Sequence, residues 1–426
     1  TVEGRVTTLG GAANVNGGSI TDLGAVTLAQ GAGTVTLAGD LAGALASGGA
    51  IGTLNVGDDV TGSIAVEDVI GTLAVGGDLG DAAGDVVRAT EFGDVTVGGH
   101  VVGVLRATTG DIAELVVTGN VSGTVETQAG NLGTAGIGGS VSGTVSSAGT
   151  ITLLDIDGDV SGSVASGGNV IVLTIDGDMT GGVALGGDCL VLNVGGDLGD
   201  ALGDTVEAVS FGDVNVGGNL VGTLRATTGD ITDVGVIGNA SGTIETQVGD
   251  IGTADINGNL SGTLSSAGTI TTLDVALDVS GTVTSGGGIT TVLVGDDVTG
   301  GITAGGAIGT LNIGGDLGDA AGDTIQATGF TDVDVGGALI GTLRATTGDI
   351  ADVDVAGDIS GAIEALAGSL GDIAATGGSL SGTLRAAQDI DSVVADDILA
   401  AALIEALGGD IASVTTSVGD LGGTVT

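Results

Sequence analysis

The sequence predicts an all-β chain, a single parallel β-helix (β-solenoid) of about 21–22 turns, and three observations predict it. The first is a long repeat. The text GDLGDAAGD at Gly77 returns as GDLGDALGD at Gly196 and as GDLGDAAGD at Gly315, each time 119 residues on. Phe92, Phe211 and Phe330, the only three Phe, keep that spacing, and so do Arg106, Arg225 and Arg344, each inside RATTGD. The second is a shorter period inside the long one. From Asp78 the residue opening the phrase D-V-S-G-T-V recurs as His100, Asn120, Ser140, Asp159, Asp178 and Asp197, in steps of 22, 20, 20, 19, 19 and 19. One unit is therefore six turns, and periods near 20 mark solenoids, whose repeats bury their apolar faces only by stacking. The third is alternation. Val160, Gly162 and Val164 alternate with Ser161 and Ser163, and Leu73 and Val75 flank Ala74, which is the period of strands with one inward face.

Taken in order, residues 1–39 read as irregular N-terminal turns. The rhythm is clear over 40–397. Residues 40–76 match the last two turns of a unit, full units occupy 77–195 and 196–314, and a third starts at 315 and decays after about 368. Residues 398–426 read as degenerate turns or a cap. Within them ILAAALIEAL, 398–407, is the one stretch with helical character, the feature expected of a cap on an open solenoid end. Turns stacked one strand spacing apart, ~4.8 Å, predict a rod on the order of 100 Å with a unit repeat of roughly 29 Å.

Composition agrees with a thin coil. Gly is 91 of 426 residues and Pro is absent. Gly suits tight corners, whereas Pro would remove a ladder donor in every turn. With no Trp or Tyr, the interior has to be a column of Val, Ile, Leu and Ala. The charge is extreme: 53 acids against 6 bases, all of them Arg, for a net −47. Along the expected rod that is about one charge per 2 Å, near the ~1.7 Å of duplex DNA. Nucleic acid and anionic membrane surfaces are not expected as partners on this ground, and a cation atmosphere is implied. The single Cys189 permits no intrachain disulfide and reads as a small buried apolar residue. There is no 18-residue apolar run to span a membrane. The chain begins at Thr1 and shows no signal peptide, so the expectation is a processed or excised portion of a longer secreted protein.

Four groups of residues are candidates for a role. Asp159, Asp178 and Asp197, and again Asp278, Asp297 and Asp316, form consecutive acidic columns. Unit charges one strand spacing apart repel by about 0.9 kcal/mol even in water, and a set of oxygen ligands suits calcium. The alternative is that Asx and Ser simply fit a corner, which the presence of His100 and Ala338 in the same column favours. Asp155-x-Asp157-Gly-Asp159 lacks the later Gly and Glu of an EF-hand. Arg106 with Glu126, Arg225 with Glu245, and Arg344 with Glu364 stand one turn apart at the same place, which predicts outward ion-pair ladders. An Arg gripping a neighbouring rod is the second reading of those pairs. Phe92, Phe211 and Phe330 are expected to plug the one wider turn of each unit. The pairs Ser122/Thr124, Ser142/Thr144, Ser161/Ser163, Ser241/Thr243 and Ser261/Thr263 predict two outward hydroxyl columns; regular Thr arrays resemble those of β-solenoid ice-binding proteins. One His, no Lys and no Tyr give no nucleophile–base arrangement to name, and no enzyme is expected.

The turn V-G-G-D-V-S-G-T-V with its 19–20-residue step resembles the right-handed parallel β-helices of filamentous-haemagglutinin-type exported adhesins. The resemblance covers about 37–397 and rests on period and pattern. It implies right-handedness and an extracellular, elongated, non-enzymatic scaffold. The functional expectation is an extracellular or cell-surface structural protein, a fibre subunit that assembles with itself through solenoid ends and has an adhesive role. A calcium-binding surface-layer or matrix component is the alternative, and ice binding a lesser one.

Overall fold

The regular turn is built from a single inward-facing bridge residue, a four-residue strand and a six-residue strand, and one turn illustrates it. Val141 forms a one-residue parallel bridge, Thr144–Ser147 is the short strand and Ile151–Ile156 the long one. Val141, Val145, Ile151, Leu154 and Ile156 all face inward and are fully buried. Each such aliphatic side chain contributes about 1.5–3 kcal/mol of burial that exists only because turns lie above and below. The computed structural model describes residues 5–8, 14–19 and 24–426. Those residues are all-β, a parallel β-solenoid of two parallel sheets, one made of the short strands and one of the long strands.

The chain divides into two units, Thr1–Gly212 (unit 1) and Asp213–Thr426 (unit 2). In unit 1 the strand Thr124–Thr127 pairs in register with Val104–Ala107 before it and Thr144–Ser147 after it. The strand Ile151–Ile156 pairs likewise with Leu132–Ile137 and Val170–Ile175. Unit 2 repeats the pattern, with Ile270–Val275 between Ile251–Ile256 and Ile289–Val294. In-register stacking puts identical positions of successive turns in columns. One inward column runs Ile70, Phe92, Ile112, Leu132, so Phe92 replaces an Ile there and is fully buried. Phe211 and Phe330 open their strands in the same way and are buried too.

Two kinds of position show why glycine is needed. Gly143 follows Ser142 at the entry to a short strand, and a Cβ there would run into the carbonyl oxygen of Gly123 in the preceding turn. Gly80, Gly199 and Gly318 have φ of +83°, +80° and +81°, the left-handed region glycine enters freely. They open the 22-residue turns, where residues 80–85 bulge outward. Asp85 Oδ2 there accepts the N–H groups of Asp81 and Ala82, both at 3.0 Å. In the second loop the N–H groups of Asp200 and Ala201 hold the Asp204 carboxyl below the usual range.

The ends differ from the expectation in one respect. The stretch 398–407 is not helical: Leu403–Ala406 is a strand that pairs with Thr383–Ala386 and Thr424–Val425. An isolated run this short does not hold a helix, and the preceding turn offers a ladder for it instead. Towards the N-terminus, Ala25–Leu28 and Ala32–Leu37 already stack in register on the turn that follows them. Residues 1–4, 9–13 and 20–23 lie outside the described ones.

Candidate functional site

The features that set this solenoid apart lie at its corners and on its outward faces. At the first corner, just before the one-residue bridge, the strand ladder breaks and one backbone N–H per turn is left without a strand partner. Side chains supply the acceptor. Asp178 N–H donates to Asp159 Oδ1 at 2.9 Å, and Asp197 N–H to Asp178 Oδ1 at 2.8 Å. In unit 2, Asp297 N–H donates to Asp278 Oδ1 at 3.1 Å and Asp316 N–H to Asp297 Oδ1 at 2.7 Å. The six aspartates therefore form a side-chain-to-backbone ladder of the kind Asx residues make locally. Other side chains do the same work. Asn120 N–H donates to His100 Nδ1 at 2.8 Å, Ser140 N–H to Asn120 Oδ1 at 2.8 Å, and Asp159 N–H to Ser140 Oγ at 3.1 Å. Among the described residues no group of three or more His, Cys, Asp and Glu is placed to hold a metal ion.

A second corner column, ahead of the long strand, escaped the sequence reading. Asn131 N–H donates to Asp111 Oδ1 at 2.7 Å, Thr150 N–H to Asn131 Oδ1 at 2.8 Å and Asp188 N–H to Asn169 Oδ1 at 3.0 Å. Unit 2 continues it with Asp250 N–H on Asp230 Oδ1 at 2.8 Å and Ser369 N–H on Asp349 Oδ1 at 2.8 Å. The signal was present as an Asp or Asn immediately before the Ile, Leu or Val that opens a long strand. Inward hydroxyls serve the same corner: Thr127 Oγ1 donates to Gly130 O at 2.7 Å and Thr246 Oγ1 to Gly249 O at 2.6 Å.

The outward face of the short-strand sheet carries the arginines. Arg106 faces Glu126, Arg225 faces Glu245 and Arg344 faces Glu364 in register. Arg106 and Arg225 donate through Nε to their glutamates, and Arg344 Nε donates to Glu364 Oε2 at 2.9 Å. Further pairs were not foreseen, among them Arg385 with Glu405 at 3.0 Å and Arg88 with Glu67 at 3.2 Å. All are partly exposed, so each contributes roughly 0.2–1 kcal/mol.

The outward face of the long-strand sheet is acidic in unit 2. Asp352 pairs with Asp372, and Asp334 with Asp354. Burial raises the Asp352 carboxyl above its usual range, and the charges of Asp354, Asp372 and Asp332 add to it. Asp233 is raised in the same way, by burial and by Asp213 and Asp255. Thr253, Thr272, Thr291 and Thr310 form a four-rung column on that face. On the short-strand sheet Thr124, Thr144 and Ser163 are likewise in register. Cys189 is buried in the column that holds Phe92, and burial pushes its thiol up to about 12, which leaves it protonated and inert. Comparison of the chain with protein-family models, with curated proteins and with solved structures finds no match.

Proposed function

We infer that the protein is an extracellular structural protein, a fibre subunit that assembles with further copies through the ends of its solenoid and has an adhesive role. One observation carries this reading. The 119-residue units are near-identical and their turns stack in register, as Ile270, Ile289 and Ile308 do, so a turn from a second copy meets the same columns. Ile411 and Val414 of the last long strand are half-buried where Ile390 and Val393 one turn earlier are sealed, which marks the place where a further turn, of this chain's continuation or of a second copy, would stack. The resemblance to filamentous-haemagglutinin-type adhesins and the net −47 fit an exported scaffold surrounded by cations.

Electron microscopy of the wild type and of Val414→Lys, each with and without a calcium chelator, tests this. Wild-type filaments that survive chelator, and dispersed Val414→Lys particles with unchanged β-sheet circular dichroism, are expected. Dispersed wild-type particles in every condition overturn the reading. Filaments that dissolve in chelator would place cations between the subunits instead.

A further inference from the structure

We propose that the first corner of unit 2 is a binding groove for a neutral, linear, hydroxyl-rich polymer, of the chemical class of an unbranched hexose polysaccharide. The groove has a volume of about 460 Å³ and follows the corner through Asn219, Asn239 and Asn259, with Ser241, Ser261 and Ser280 along one side. The three asparagines are a stacked amide run. Asn239 N–H donates to Asn219 Oδ1 at 2.9 Å and Asn259 N–H to Asn239 Oδ1 at 2.9 Å. The amide nitrogens follow the same path, Asn239 Nδ2 to Asn219 Oδ1 at 3.4 Å and Asn259 Nδ2 to Asn239 Oδ1 at 3.2 Å.

That geometry consumes one of the two N–H bonds on each Nδ2. On Asn239 and Asn259 the other is left over, and both residues line the groove beside the exposed hydroxyls of Ser241, Ser261 and Ser280. The lining is therefore a row of neutral hydrogen-bonding groups repeating every strand spacing, ~4.8 Å, close to the length of one sugar residue in an extended chain. On a chain of net −47 three uncharged rungs in succession are a local relief, and Asp278 at one end of the groove repels anionic polymers. With no Trp or Tyr in the protein, affinity comes from hydrogen bonds, many of them through water, repeated along the polymer. The matching corner of unit 1 holds His100, Asn120 and Ser140, which interrupts the amide run and provides an internal contrast. The proposal rests on the groove and not on fibre assembly.

The test is affinity electrophoresis of the full chain, using the non-sedimenting fraction so that assembly does not enter. The gels contain a soluble linear glucan, a linear mannan or a polyuronate. The key variant is Asn239→Asp with Asn259→Asp, which keeps the backbone acceptor, as Asp159 and Asp178 do, but removes the remaining N–H groups and adds charge. Retardation by at least one neutral polymer and not by the polyuronate is expected. The double variant should weaken that association at least tenfold at an unchanged melting temperature, and Asn169→Asp at the other corner should leave it alone. No retardation by either neutral polymer, equal binding by the double variant, or preference for the polyuronate would overturn the proposal.

Discussion

In unit 1 the first corner passes through His100, Asn120, Ser140 and Asp159, whereas in unit 2 the same four places hold Asn219, Asn239, Asn259 and Asp278. The backbone does not register the change. The rungs of the first set span 2.8 to 3.1 Å, and those of the second 2.9 to 3.1 Å. An imidazole nitrogen, an amide oxygen, a hydroxyl and a carboxylate are interchangeable there because the corner asks for one acceptor at one position. Charge is incidental to that task. What the side chain does beyond accepting one N–H is free to vary, and the amide run of unit 2 is one use of that freedom.

The interior offers no such freedom, and the largest effect is expected where the units agree. Phe92→Ala in unit 1 and Phe330→Ala in unit 2 should each cost about 3–5 kcal/mol in denaturant unfolding, as a buried ring lost from a packed column does. A much smaller cost in one unit would mean that its interior relaxes where the other cannot, and would break the equivalence.

A smaller effect should separate the units on the long-strand sheet. Asp352 of unit 2 has Asp372 opposite it and the charges of Asp354 and Asp332 near it as well, whereas its counterpart Glu114 of unit 1 has one acid opposite, Asp94, and Thr134 on the other side. Like charges directly opposite destabilise, so Asp352→Asn should stabilise unit 2 by roughly 0.2–1 kcal/mol at pH 7. Glu114→Gln should do less. The folded Asp352 carboxyl titrates above its unfolded value of 3.8, so folding penalises its ionised form. That penalty is full at neutral pH, eases as pH falls through the raised folded value, and is gone below 3.8. The gain from Asp352→Asn should fade over the same window in melting curves; a gain that grows on acidification would contradict the sign.

Much of this was legible because the coil turns sequence period directly into spatial column. A 20-residue step from Arg106 to Glu126 places them opposite each other whatever the details of the turn. The corner chemistry was harder to see. Its partner is a backbone N–H one turn away, which has no letter in the sequence, so the corner reading rested on His100 and Ala338 alone and Asp159 and Asp178 stayed candidates for cation ligands. The second corner was missed because Asp111, Asn131 and Thr150 share only an acceptor atom. The run 398–407 looked helical because its Ala and Leu favour helix locally, while the edge of Thr383–Ala386 that pairs with it is 20 residues distant in sequence.

The central claim, that the corner aspartates act as neutral acceptors would, has a direct test. Asp159, Asp178, Asp197, Asp278, Asp297 and Asp316 are all replaced by Asn, or all by Ala, and thermal melting is followed with calcium and with chelator. The Asn variant should melt at or slightly above the wild type, with no response to calcium, while the Ala variant should lose about 1 kcal/mol for each rung left without an acceptor. An Asn variant that melts as low as the Ala variant, or that loses a calcium response the wild type possesses, would contradict the account and make the carboxylates cation ligands.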